Sequence, residues 1–391
     1  MTIVRPGLEV LLDDPRPIAG KNIGLVTNQS GVTGDLRHVV ELLHRNTDWK
    51  LTTLFGPEHG IWGEAQDMAH VGHSVDPMTG LTVYSLYGAS ESDLAPRQEL
   101  LRGLDALVID LQDIGARIYT YIYTMSNCMR AAAKHGVAVI VCDRPNPIGG
   151  VDVEGATLRR GWESFVGLFP IPMRHGMTMG ELAKLFNDAF GLGASLDVVK
   201  MEGWTRDMYA DATGLPWVMP SPNMPTLDTA VVYPGTVLFE GTMVSEGRGT
   251  TRPFELVGAP WIDAEQFAAA MNGAGLDGAY FRPAGFEPTF QKHAKQACGG
   301  CQIHVTDRAV FKPVITGIAL IDMFRRSDPS RFAWRQPPYE YEHDKMPIDI
   351  LAGSDALRQQ VESGVPIAEI AARWKDDEKG FERLRQPFLM Y

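Results

Sequence analysis

The residues best suited to chemistry stand in Leu54 to Asp67, LFGPEHGIWGEAQD, where Glu58, His59, Trp62, Glu64 and Gln66 crowd between glycines. Gly56 and Pro57 end the strand that enters this stretch, because proline lacks the ladder N–H and glycine accepts turn dihedrals. The result is a loop that offers a carboxyl, an imidazole and an indole from the end of a rigid strand, where binding and catalytic groups concentrate. The same residues would also serve as a solvated surface turn, so the choice depends on what the rest of the chain brings near them.

The elements that must position this loop alternate strand and helix. Asn22 to Thr27 is a short apolar run closed by NQSG, and Leu36, Val39, Val40 and Leu43 then recur at helical spacing. Leu51 to Phe55 enters the acidic loop, and Leu81 to Leu86 is a third strand ending at Tyr87 and Gly88. After a helix over Ala95 to Arg102, Ala106 to Leu111 is apolar on both faces, as a central parallel strand should be. A helix over Tyr119 to His135 and a strand over Val137 to Cys142, closed by DRPNP, complete the pattern. It predicts the α/β class, with a Rossmann-like doubly wound parallel sheet whose ligands bind beyond the carboxyl ends of the strands. Polar groups collect at those ends: Asn28, Gln29 and Ser30; Glu58 and His59; Tyr87; Asp110, Gln112, Asp113 and Arg117; Asp143, Arg144 and Asn146.

Farther on the pattern loosens. Thr178 to Glu181 reads as a capping box, and Arg174 and His175 precede it at the mouth of the helix it opens. The proline-rich stretch Val218 to Thr226, which contains Asn223, suits a connection lining a cleft. A boundary near Asp228 divides the expected catalytic domain, 1–228, from a smaller α+β domain, 229–391, that closes the cleft. In the second domain the run from Tyr233 to Pro260 reads as another ligand-facing loop around Glu246, Arg248 and Arg252.

Composition narrows the function. Hydrophobic content of 45% and charged content of 21% fit a globular chain, and a net charge of -12 argues against a nucleic-acid partner. No apolar run is long enough to span a bilayer, and the start, MTIVRPGLEVLL, lacks the apolar core of a signal peptide, which predicts a cytoplasmic chain unless it is a trimmed form. TNQSGVTG after the first strand matches neither G-x-G-x-x-G nor the P-loop, so no nucleotide cofactor is expected. The four cysteines do not suggest a disulfide framework, and Cys298 and Cys301, flanked by His293 and His304, lack the second pair of a zinc ribbon.

Six segments together carry a resemblance. TNQSG (27–31), FGPEHGIWG (55–63), DLQDIGARIYTYIYTM (110–125), DRPNPIGG (143–150), SPNMPT (221–226) and EGRGTTRPFE (246–255) are similar, in this order, to the NamZ-type exo-beta-N-acetylmuramidases, long catalogued as a domain of unknown function. The resemblance runs from about Gly7 to the terminal FLMY. It implies release of N-acetylmuramic acid from the non-reducing end of peptidoglycan fragments, in a cleft between the two domains.

Glycoside cleavage needs an acid at the leaving oxygen and a group that stabilises or traps the anomeric carbon. Glu58 matches the family's PEHG glutamate and is the expected acid, with Trp62 and Tyr87 drying its surroundings and His59 assisting. Asp110 and Asp113 are candidates to activate water, although each also suits a helix cap and the substrate's own acetamido group is an alternative nucleophile. The lactyl carboxylate of muramic acid invites a guanidinium: Arg248 or Arg117, with Arg144 and Arg174 behind them. Tyr119, Gln112 and Glu246 are further expected substrate contacts. Two other readings stand beside this one: a metal-dependent hydrolase built on His59, His70 and His73, and a non-catalytic binder of muropeptides.

Overall fold

A computed structural model describes residues 3–66, 69 and 71–391. His70 therefore lies outside the described residues. The larger sheet comprises β1 (Asn22–Thr27), β2 (Lys50–Gly56), β3 (Ser74–Val75), β4 (Thr82–Ser85), β5 (Ala106–Asp110), β6 (Ala138–Cys142) and β7 (Leu196–Val199) in the order β3-β4-β2-β1-β5-β6-β7. Its pairs are parallel except β3 with β4. The chain runs outward from β1 through β2 and β4, returns to β5 on the other side of β1, and runs outward again through β6 and β7. The reversal falls between β1 and β5, the point at which such sheets open a crevice for ligands.

Both faces of this sheet are covered, which explains why its strands read as unbroken apolar runs. Ile23, Leu25, Val108 and Ile140 pack with Leu8 and Leu11 of the helix Gly7–Asp13 and with Val39, Val40 and Leu43 of the helix Val39–Arg45. Val26, Leu107, Ile109, Val139 and Val141 face the opposite way, toward the helices Tyr121–His135 and Met179–Asp188. The second of these helices opens with the expected capping box, Thr178 and Glu181 bonding each other's backbone N–H.

The smaller sheet is antiparallel: β8 (Leu256–Ala259), β9 (Ala279–Phe286) and β10 (Cys298–Val305), in the order β8-β10-β9, with the helix Ala264–Asn272 against it. The run from Tyr233 departs from the expected loop. Its first residues close the helix Leu227–Thr236, with Pro234 in the last turn, and a 3₁₀ turn at Val237–Gly241 follows. Tertiary packing overrides the local signal here: a Cβ on Gly235 would lie 1.8 Å from the Pro313 carbonyl oxygen, so this helix and Pro313–Ser327 cross backbone to backbone.

One apolar core runs through both parts. Val26 and Ile109 of the large sheet belong to the same buried cluster as Phe239, Phe267, Phe281 and Phe324. The chain end then folds back on the large sheet. Arg385 Nη1 donates to the carbonyls of Gly150, His175 and Gly176, and the Tyr391 hydroxyl donates to Asp143 Oδ2 at 2.8 Å. Among the described residues no helix is long and apolar enough to cross a membrane.

Candidate active site

β2 delivers the acidic loop, and the loop is tightly wound. Gly60 N–H bonds the Pro57 carbonyl at 3.0 Å, and a Cβ on Gly56 would meet Ile61 N at 2.9 Å. His59 is held at φ 71, a left-handed conformation uncommon for a non-glycine residue. The coil buries Glu58, 7% exposed, beyond the carboxyl edge of the sheet. There Thr120, leading into the helix Tyr121–His135, donates its hydroxyl to Glu58 Oε2 at 2.7 Å. Among the described residues this is the only hydrogen bond to the Glu58 carboxyl, which leaves Oε1 to the pocket.

That pocket is lined by both parts of the chain. The first part supplies Glu58, His59, Ile118 to Tyr121, Val166, Ser221, Asn223 and Met224, and the second supplies Tyr233, Glu240, Arg248, Phe254, Tyr339 and Glu340. The His59 ring lies with Nδ1 2.9 Å from the Ala65 carbonyl, so in the neutral form the proton sits on Nδ1 and Nε2 is an acceptor. The proline-rich connection straps the wall: Asn28 Nδ2 and the Tyr121 hydroxyl both donate to the Pro220 carbonyl, at 3.0 and 2.6 Å.

The opposite wall is charged and internally paired. Arg248 Nη2 donates to Glu240 Oε1 at 2.6 Å, and its guanidinium lies 5.0 Å over the Phe254 ring. Glu246 meets Arg248 at 3.5 Å and Lys292 at 2.7 Å. Burial opposes the charge on Glu246, but Lys292 and Arg248 outweigh it and hold the carboxyl below its usual range. The Tyr339 hydroxyl donates to Glu240 Oε2 at 2.6 Å and the Tyr87 hydroxyl to Glu340 Oε2 at 2.9 Å. Burial, then the charges of Glu58 and Glu340, push the Tyr87 phenol far up, so it remains a proton donor. A carboxyl with one anchored oxygen that shares a cleft with a guanidinium can give a proton to a bound ether oxygen while the guanidinium binds an anion beside it.

Similarity to known proteins extends over nearly the whole chain. The family model for the N-terminal part of exo-beta-N-acetylmuramidase NamZ matches residues 23–228, and the model for its C-terminal part matches residues 231–391. The peptidoglycan beta-N-acetylmuramidase NamZ of Bacillus subtilis is 46% identical over 99% of this chain and 91% of its own length. The chain belongs to the NamZ exo-beta-N-acetylmuramidase family. Two crystal structures of DUF1343-family proteins from Bacteroides fragilis have the same fold. One is 34% identical with a TM-score of 0.90 over 100% of both chains, and the other 28% identical with a TM-score of 0.78 over 100% of this chain and 99% of its own.

Many of the polar residues expected in this NamZ-type site lie elsewhere. Asp110 is fully buried in a two-pronged pair with Arg144, at 2.5 and 2.8 Å, so neither group faces the pocket. Asp113 accepts from Gly115 N–H at 2.7 Å and lies 3.3 Å from His175 Nε2, both deep in the fold. Arg117 spends its guanidinium on the carbonyls of Ala156, Ile171 and Leu351, and Arg174 on Ile148, Tyr209 and Asp152. Asp143 caps the helix Met179–Asp188 through Thr178 and Gly180, and burial pushes its carboxyl up to about 6. Asn146 bonds the backbone of Met177 and Ile148. Asp113, Asp143 and Asn146 depart because the backbone that follows a buried strand end must be satisfied, and short polar side chains do that work. Asp110 and Arg144 instead neutralise each other, and Arg117 and Arg174 are consumed mainly by backbone carbonyls.

Ser30, Gln112 and Arg144 line a different pocket, with Trp217 and Leu215, on the other side of the strap. Gln29 is tied to the Met219 carbonyl, and Trp62 is 43% exposed with its ring 5.2 Å from His38, so the indole does not dry Glu58. Tyr119, Asn223 and Arg248 do join Glu58 and His59, while Glu246 stands behind Arg248 and Tyr87 reaches the site through Glu340. Thr120, Tyr121, Glu240, Tyr339 and Glu340 escaped the sequence reading. The run PPYEYE (337–342), aromatic and acidic residues alternating after two prolines, was the signal for the last two.

The histidines do not converge. His59 faces the Glu58 pocket, whereas His73 lines a separate one and accepts from Ser85 N–H at 3.2 Å. Among the described residues, no three His, Cys, Asp or Glu side chains cluster as metal ligands would. Cys298 and Cys301 are buried and unpaired.

Proposed function

We propose that the pocket at Glu58 binds a terminal N-acetylmuramic acid residue of a peptidoglycan fragment and that Glu58 donates the proton that releases it. A single observation carries this reading: a buried carboxyl, with one oxygen held by Thr120, opens onto a cleft that Arg248 also lines. Thr120 fixes one oxygen, so the other approaches the glycosidic oxygen in a set direction. His59 Nε2 and Asn223 supply hydrogen bonds to sugar hydroxyl or amide groups. Arg248, kept in place by Glu240 and the Phe254 face, grips the lactyl carboxylate, which is the group that separates a muramide from a glucosaminide.

Exo action needs a site that takes one terminal sugar, and in this reading Phe254 and Tyr233, which line the pocket, bound that site. The substrate is therefore a soluble or chain-end muramyl saccharide, and no nucleic acid or cofactor enters the scheme.

Glu58→Gln keeps the Thr120 contact and removes the acidic proton. Turnover of a chromogenic muramide should fall by about 10²–10⁴-fold with the fold intact. Wild-type turnover by this variant takes the acid role away from Glu58. Arg248→Ala should lose at least tenfold more against the muramide than against the matching glucosaminide, and equal losses on both mean that Arg248 does not read the lactyl group.

A further inference from the structure

With Asp110 paired to Arg144 and Asp113 held by Gly115 N–H beside His175, an enzyme carboxylate acting at the anomeric carbon has to be another one. Glu58, Glu240 and Glu340 are the carboxylates among the residues lining the pocket. Glu240 is committed to the far wall, one oxygen to Arg248 and one to Tyr339. Glu340, from the same part of the chain, is instead held by Tyr87, toward the part that carries Glu58.

Glu340 sits at the tip of a turn built to aim it. Tyr339 and Glu342 exchange backbone hydrogen bonds at 2.9 and 3.0 Å, closing the turn, and Glu340 is held at φ 51. A left-handed non-glycine residue is strained, and such strain persists where the surroundings dictate it. Both neighbouring tyrosines are anchors. Tyr339 is buried against Glu240, and the Tyr341 hydroxyl donates to the Gly88 carbonyl at 2.9 Å while its ring stands edge-on to Tyr87 and Phe165 at 6.0 and 5.7 Å. Between these anchors, Glu340 reaches across to the first part of the chain and accepts from Tyr87. Glu58 and Glu340 line the same pocket, one from each part of the chain.

We propose that Glu340 is the second catalytic carboxylate, placed beside the anomeric carbon, where its charge stabilises the positive charge that grows as the glycosidic bond breaks. The inference rests on Glu58 being the acid. The electron pair of the C1–O bond leaves with the oxygen, which takes the Glu58 proton. Water then supplies a hydroxyl to the anomeric carbon and returns a proton to Glu58. Tyr87 is a positioning residue that orients Glu340.

The test compares Glu340→Gln with Tyr87→Phe on a chromogenic muramide and measures muramic acid binding to each by calorimetry. Glutamine still accepts from Tyr87 but carries no charge. The proposal expects Glu340→Gln to lower kcat by about 10²–10³-fold with muramic acid bound within a few-fold of wild type, and Tyr87→Phe to cost only about tenfold. A Glu340→Gln kcat within twofold of wild type, a Tyr87→Phe loss larger than that of Glu340→Gln, or failure of Glu340→Gln to bind muramic acid each overturns it. Glu58→Gln, run alongside, separates the two claims: an active Glu340→Gln beside an inactive Glu58→Gln sinks this inference alone, whereas an active Glu58→Gln removes the reading beneath it.

Discussion

Arg117 shows how a charged side chain can be consumed by the fold. Its guanidinium is 1% exposed and meets three backbone carbonyls at 2.9 to 3.0 Å, one of them Leu351 from the second part of the chain. Burial pushes its pKa down to about 10, which still leaves it charged at neutral pH. Lysine cannot present the same planar fork, so Arg117→Lys should cost about 2–4 kcal/mol in urea unfolding while the folded enzyme keeps its kcat. A large change in muramide selectivity without loss of stability would return Arg117 to the binding site. In the sequence Arg117 and Arg248 were indistinguishable candidates, because a guanidinium looks the same whether it ends on carbonyls or in a cleft. Glu58 was legible because Gly56, Pro57 and Gly60 announce a loop at a strand end. Glu340 was not, since its placement depends on a turn more than 250 residues away in sequence packing against Tyr87.

Among the elements, the helix Pro313–Ser327 carries a pH-sensitive joint at its start. Glu154 is 5% exposed, and its Oε1 accepts from Ile315 N–H at 2.9 Å, which ties this helix to the first part of the chain. Burial, only partly offset by the Ile315 and Val314 N–H groups and by Arg174 and Lys312, raises its pKa to about 7. The folded state thus holds a proton that the unfolded chain gives up near pH 4.5, so this stabilisation is full below that pH and is lost as pH rises through about 7. Glu154→Gln should therefore flatten the fall in Tm between pH 5 and pH 8, removing on the order of 2–3 kcal/mol of pH dependence. An unchanged slope would mean that Glu154 titrates normally. At this scale the large sheet was readable, since strands buried on both faces spell themselves as apolar runs. The helix Leu227–Thr236 was hidden by Pro234 and Gly235, residues that signal a turn locally but are required here by the contact with Pro313.

For the whole molecule, two sheets of different type share one apolar core, and the chain end returns to the large sheet through Arg385 and Tyr391. Calorimetry should accordingly record one cooperative unfolding transition in which both parts melt together, and two separated transitions would show that each part stands alone. The shared core matters for function because Glu58 comes from one part and Arg248 and Glu340 from the other, so the cleft keeps its width only while the parts hold register. The most direct measurement is a crystal structure of Glu58→Gln with a beta-linked muramyl disaccharide bound. The account predicts the glycosidic oxygen about 3 Å from the residue 58 amide and the lactyl carboxylate on Arg248. A sugar seated instead in the pocket of Ser30, Gln112 and Trp217 would contradict it.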